Sequence, residues 1–216
     1  MAYIDLQNAV QRDLYGRTDL TTQIQNKILS AISHYEKEKW WFKEDQDTSL
    51  VTVNGQPYLD VPSDFEFDDG FTITYSNYPL PMVKRDWETM LRFLISTTTL
   101  KGQPTDYAFF KNQFWFYPTP NAAYTLTLWK TKNLPVLVNS SDANAWTDEA
   151  GELIHSRATA DIRCQILREG PALEEMALMA QGGMPFYCYR EKIAYDQLQS
   201  KNVSKLSTGH ISPHFF

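Results

Sequence analysis

The sequence predicts an α+β protein in which N- and C-terminal helices form one bundle with an inserted β-rich lobe. Three observations carry this expectation. Apolar residues recur with a period near 3.6 over residues 1–47, the period changes to 2 over residues 48–135, and helical spacing returns over residues 136–205. The remaining residues, 206–216, show no period and are predicted as an extended C-terminal arm.

The first helix is read from Leu6, Val10 and Leu14, four residues apart, with Gly16 as the residue that ends it. A second starts with Thr18 or Asp19 as its N-cap and carries Leu20, Ile24, Ile28, Ala31 or Ile32, and Tyr35 on one face, ending near Trp40. From about Thr48 the alternation of Leu50 and Thr52 against Val51 and Val53, a turn at Asn54-Gly55, and then Tyr58, Leu59 and Val61 predict a hairpin with a type I′ turn. Strands continue with Phe71, Ile73 and Tyr75 on one face, are interrupted by a short helix at "RDWETMLRFLIS", and resume in "FWFYPTPNAAYTLTLWK", Phe114 to Lys130. Helical spacing returns with Ile154, Ala158, Ile162 and Ile166, starting at Thr147 or Asp148. A shorter helix follows between Gly170-Pro171 and Gly182-Gly183, and a last one carries Phe186, Tyr189, Ile193 and Leu198.

Composition excludes more than it selects. A formal net charge of −6 argues against a specific nucleic-acid grip, which needs Lys and Arg to displace counterions from phosphates, and against an anionic membrane surface. The N-terminus is polar at helical spacing and shows no signal peptide, and no apolar run approaches the roughly 20 residues that span a bilayer. Cys164 and Cys188, with neither C-x-x-C nor a matching His, read as two buried thiols in a reducing compartment.

Enzymatic signatures such as G-x-S-x-G, the P-loop and H-E-x-x-H are missing, so no catalytic, cofactor-binding or metal-ligating residue is assigned. His34 and His155 fall on predicted helices and read as structural. His210 and His214 bracket a proline in the arm, a weak metal spacing. The run "DFEFDDG" is the best place for paired carboxylates of a glycosidase, with Asp64, Glu66 and Asp68 on one face and Phe65 and Phe67 on the other. That alternation also describes an edge strand with a solvated acidic face, the reading preferred here.

The aromatic stretch puts Phe114 and Phe116 inward and Trp115 and Tyr117 outward, and its second strand sets Tyr124, Leu126 and Leu128 against Thr125, Thr127 and Trp129. Large aromatics on both faces predict a sheet covered on one side by its own lobe and on the other by a neighbouring subunit.

Taken in order, "HYEKEKWWF", "YLDVPSDF", "YPLPMVKRDWETM", "GQPTDYAFFKNQFWFYPTPNAAYTLTLWK" and the helices after "AWTDEAGELI" resemble the head-to-tail adaptor, or connector, proteins of tailed bacteriophages, which form the ring below the portal. The resemblance covers nearly the full chain. It implies a structural, non-enzymatic virion protein of the head–tail junction, made in the host cytoplasm. Such a protein closes into a homo-oligomeric ring, usually twelve-fold, docks on the portal protein and presents a surface to tail or nozzle proteins. The acidic balance suits a ring around a DNA channel, where attraction to phosphates would retard ejection. Trp40, Trp41, Trp115 and Trp129 are then candidates for subunit contacts. Leu206, His210, Ile211, Pro213, His214, Phe215 and Phe216 are assigned to portal docking, with a neighbouring subunit as the alternative target. A different function class, a carbohydrate-binding or peptidoglycan-hydrolysing tail component, would use the acidic strand and exposed aromatics.

Overall fold

A computed structural model describes residues 1–76, 78–96 and 100–209, the last four by backbone only. In chain order the elements are α1 (Tyr3–Asp13), α2 (Thr21–Tyr35), β1 (Glu44–Asp47), β2 (Tyr58–Asp60), β3 (Phe65–Tyr75), β4 (Tyr78–Pro81), β5 (Val83–Lys84), α3 (Trp87–Ser96), β6 (Lys101–Gly102), β7 (Asp106–Phe110), β8 (Gln113–Tyr117), β9 (Thr119–Pro120), β10 (Leu126–Lys132), α4 (Ala145–Glu149), α5 (Gly151–Asp161), α6 (Gly170–Gln181) and α7 (Tyr189–Gly209). The content is mixed α and β. The chain divides into two compact units, Met1–Phe42 with Leu134–Phe216, and Lys43–Asn133. Each has its own apolar core.

In the helical unit, α1 buries Tyr3, Leu6 and Val10, with Leu14 just after it, and ends where Tyr15 and Gly16 take positive φ. Thr18–Leu20 forms a 3-10 turn, so α2 begins at Thr21 rather than after Thr18 or Asp19; the Thr21 hydroxyl donates to the Thr18 carbonyl at 2.8 Å. Ile24, Ile28, Ala31, Ile32 and Tyr35 of α2 face the core. The α4 N-cap is Asn144, earlier than Thr147 or Asp148, and its side chain accepts from Trp146 N at 3.0 Å and Thr147 N at 3.3 Å. The next helix, α5, is buried nearly all round and is the central element of the unit. A π-helical turn, Ile162–Ile166, follows it. The wider turn rotates the stripe, so Ile154, Ala158 and Ile162 stay inside while Ile166 is exposed.

The last helix departs most from its expected face. Tyr189 and Ile193 are exposed, whereas Glu191, Ala194, Leu198 and Asn202 are buried. Glu191 is fully buried because donors meet it: Arg157 Nη1 at 2.8 Å, the Tyr35 hydroxyl at 2.5 Å and Tyr187 N at 2.6 Å. Burial, and then the Glu191 charge, push the Tyr35 phenol well above its ordinary pKa, so Tyr35 is a fixed donor. Helix α7 also continues through Gly209, which corrects the extended arm over residues 206–209. The rest of that expected arm, 210–216, lies outside the described residues.

The second unit holds two four-stranded sheets, ordered β1-β10-β3-β4 and β2-β8-β7-β5, and a small β6-β9 pair. Phe71, Ile73, Leu126 and Leu128 from the first sheet meet Tyr107, Phe114 and Phe116 from the second. The Phe71 ring lies 4.7 Å from Phe114 and 4.9 Å from Tyr107. Phe114 and Phe116 are fully buried while Trp115 and Tyr117 face the other way, as period 2 requires.

The hairpin expected at Asn54-Gly55 is not formed. Only Gly55 has positive φ there, +80°, and Gln56 N donates to Val53 O at 3.1 Å, which is a type II turn. Val51 bridges Thr125 in the first sheet, whereas β2 pairs with β8 in the second, so the turn carries the chain between sheets. A tight hairpin joins β7 to β8 through Lys111 (φ 49°) and Asn112 (φ 58°). Two positive φ values define the type I′ turn that twisted strands favour.

Strand β1 is attached by charge as well as by its ladder. Asp45 lies 3.4 Å from Lys132 and Asp47 3.6 Å from the buried Lys130 on β10. The Ser49 hydroxyl, then the Ser49 N–H and Lys130, hold the Asp47 carboxyl below its ordinary pKa against partial desolvation.

Three outcomes follow from this packing. Asn112→Val should cost about 1 kcal/mol or more, because a β-branched residue resists positive φ, whereas Asn112→Gly should be neutral or slightly stabilising; denaturation midpoints compare them. Glu191→Ala should lower stability by about 3–5 kcal/mol by stranding the Arg157 charge, and Glu191→Gln by less, measured by urea unfolding. Because the folded pKa of Asp47 is depressed, its contribution is present above the unfolded value near 3.9 and is lost as pH falls through the folded value. Acid titration of stability should therefore be shallower in Asp47→Asn than in the parent chain.

Candidate interaction surfaces

The acidic run enters β3, which is paired on both sides, with β10 and β4, and its Asp64, Glu66 and Asp68 carboxylates are ion-paired. Lys130 Nζ is 2.5 Å from Asp64, and Lys43, fully buried, pairs with Glu66. Lys84 Nζ lies 2.7 Å from Asp68, and the Tyr107 hydroxyl donates to that same carboxylate at 2.8 Å. Burial and then the Asp68 charge push the Tyr107 phenol above its ordinary pKa. A glycosidase pair needs one carboxyl kept protonated by its surroundings. Here each of the three carboxylates faces an ammonium group.

The remaining chemistry-bearing residues pack into the helical unit. His34 meets Tyr35 edge-on at 4.9 Å. His155 is buried, its Nε2 3.1 Å from Asp13 while Arg190 Nη2 donates to Nδ1 at 3.2 Å. Burial and the Arg190 guanidinium push its pKa down despite Asp13 and Glu152, leaving a neutral ring at pH 7. Buried Cys164 and half-buried Cys188 are free and line a cleft of about 230 Å³ with Asp13, Arg163, Tyr187 and Arg190. Burial raises both thiol pKa values, which suppresses thiolate chemistry. Among the described residues no group of three or more His, Cys, Asp or Glu could hold a metal ion.

The four tryptophans proposed for subunit contacts occupy different environments. Trp40 is fully buried, its Nε1 donates to Tyr35 O at 2.8 Å, and its ring packs against Trp146 and Phe42, so it is a core residue and is corrected as such. Trp41 is half-buried, with Asn202 Oδ1 accepting from its backbone N–H at 2.9 Å and the Lys205 ammonium 4.7 Å from its ring. Trp115 lies 5.1 Å from Tyr58 and 5.4 Å from Trp87 on α3, and Trp87 stacks on Phe110 at 4.1 Å. Phe93 of α3 lies 5.0 Å from Tyr117. The outward aromatics of β8 are thus met by the chain's own helix, which replaces the expected neighbouring subunit at Trp115. Trp129 is 40% exposed, opposite Gly70 on one side and Gln46 on the other, and its indole has an open face.

Other exposed apolar side chains escaped the sequence reading. Tyr78 and Leu80 stand on edge strand β4, Ile95 on α3, Leu178 on α6 and Ile193 on α7. The signal available for β4 was "YPLP", since prolines alternating through a strand belong at an edge. The described residues contain no helix long and apolar enough to cross a membrane.

A search of curated proteins finds no match. The family described as SU10 adaptor protein matches residues 1–184, which takes in both sheets and every helix from α1 through α6, while α7 lies beyond the matched range. With that much of the chain matched, the protein belongs to the SU10 adaptor protein family, a family of phage head-to-tail adaptors.

Proposed function

We propose that the protein closes into a ring between portal and tail, with twelve-fold symmetry, at the head–tail junction of the virion, after synthesis in the host cytoplasm. Membership of the adaptor family over residues 1–184 is the observation that carries this reading. The ring docks on the portal protein on one side and offers the other to tail or nozzle proteins. It needs no cofactor and no catalysis.

Ring closure requires that one face of each copy meet a different face of the next. Trp129, 40% exposed, is a contact residue of this kind, joined by half-buried Trp41. The acidic surplus, −6 overall, keeps the ring from holding the DNA that passes through it. Ion pairing of Asp64, Glu66 and Asp68 weighs against the carbohydrate-processing alternative.

Mass measurement of the full chain, alone and with portal protein from the same phage, tests the reading. Many copies of the chain are expected on each portal assembly. A chain that leaves the portal mass unchanged would overturn the proposal. Turnover of peptidoglycan or host polysaccharide that disappears in Asp68→Asn would overturn it in favour of the tail-enzyme class.

A further inference from the structure

The cleft of about 230 Å³ in the helical unit is lined by polar groups that the fold itself leaves unused. Thr159 on α5 is 6% exposed and lines the cleft, and its hydroxyl oxygen is buried without a hydrogen-bond partner among the described residues. Burying a hydroxyl in that condition costs free energy, which a ligand bonded to it would recover.

Charge selects the sign of that ligand. Three carboxylates line the cleft, Asp13, Glu169 and Glu175, against two guanidinium groups, Arg163 and Arg190. Arg190 donates to Asp13 at 2.7 Å and to Glu152 at 2.6 Å, and Arg163 Nε lies 3.8 Å from Glu169. Glu175 is the carboxylate left over. Its Oε1 accepts from Tyr189 N at 2.9 Å, and among the described residues it makes no ion pair.

The two thiols lie between Glu175 and Thr159. Tyr189, which donates to Glu175, follows Cys188, whose sulfur is 4.0 Å from the carbonyl oxygen of Ser156, one turn before Thr159 on α5. Cys164 Sγ donates to Ala172 O at 3.4 Å, one turn before Glu175 on α6. Burial first, and the Glu175 charge in part, push both thiols above their ordinary pKa. The sulfurs are thus neutral at pH 7 and, with Ala160 and Pro171, give the cleft an apolar wall beside its acceptors.

Size and ligand spacing narrow the cation. Among the described residues no group of His, Cys, Asp or Glu could hold a metal ion, so the guest must reach separate acceptors through directed N–H groups. The cleft is smaller than the roughly 300–1,000 Å³ of drug-sized pockets and suits one unbranched chain. An ammonium group carries three donors and no acceptor. We propose that this cleft binds a primary alkylammonium group, the nitrogen donating to Glu175 and to the Thr159 hydroxyl and the alkyl stem lying along Ala160, Pro171 and the thiols. A lysine side chain of another protein and a free diamine share this chemistry. The site stands independently of the ring reading above.

Titration of the isotope-labelled full chain with the diamine putrescine and with an N-acetyl lysine methylamide, followed by backbone amide chemical shifts, tests it. Saturable shifts are expected at Thr159, Cys188 and Tyr189, whereas butyrate, similar in size and opposite in charge, should give none. Glu175→Gln keeps an acceptor for Tyr189 N and should weaken amine binding at least about tenfold. Thr159→Val should weaken it about threefold or more while leaving the urea midpoint unchanged or raised, a combination that a merely structural hydroxyl would not give. Saturation by putrescine alone assigns the site to a free amine, and saturation by the lysine derivative assigns it to a protein side chain; both uphold the proposal. No saturable shift with either amine, equal binding of butyrate, or parental affinity in Glu175→Gln or Thr159→Val would each overturn it.

Discussion

Glu191 is fully buried in the helical unit, and the helices around it are placed by the donors that reach it. Arg157 comes from α5, Tyr35 from α2 and Tyr187 from the segment leading into α7. A carboxylate without those partners would cost several kcal/mol to bury, so the geometry of three helices is conditional on one another. The Arg157 guanidinium is fixed further by lying 3.7 Å from the Tyr187 ring. One consequence reaches the surface. With Glu191, Ala194 and Leu198 committed inward, the helix turns Tyr189 and Ile193 outward.

The sheet unit solves a different constraint, the open edges of two small sheets. Met82 N donates to Phe71 O at 2.9 Å and Thr74 N to Thr125 O at 2.9 Å, so Thr72–Pro81 and Thr74–Pro79 are pairs without mutual hydrogen bonds. The nitrogens of Pro79 and Pro81 therefore point away from β3, toward the free edge. Proline is tolerated there and removes the donors that another strand would need. The opposite edge, β1, has only four residues, three of them acidic. In the second sheet the edge strands β2 and β5 have three and two residues.

Local periodicity was legible, and partner choice was not. Phe114 and Phe116 against Trp115 and Tyr117 followed from alternation alone. The Asn54-Gly55 pair looked like a hairpin because turn chemistry is local, whereas its flanking segments pair with Thr125 and with β8, dozens of residues away. Lys111-Asn112 forms the type I′ turn without its usual glycine, and so gave no sequence signal. Glu191 was invisible to a hydrophobic stripe for the same reason that it matters, since burial of a charge is readable only with its partners. Adjacent Trp40 and Trp41 lie between α2 and β1, where no helical or strand period says which faces inward. Cover for Trp115 comes from Trp87, so its outward position in the strand was right while the source of its neighbour was not.

Edges closed in this way restrict how copies of the protein can meet. Strand-to-strand joining would be the simplest way to link identical β-rich subunits, but β4 lacks outward donors at two of its four residues and β1 is short and acidic. Contacts must then be made by side chains on faces. A face that meets its own copy closes a pair and stops, whereas a ring needs two different faces on each subunit. Exposed apolar side chains that the ring proposed above could draw on include Trp129 on one sheet and Leu178 on α6. Capped edges therefore weigh against strand-to-strand joining and leave the ring proposed above to side-chain contacts.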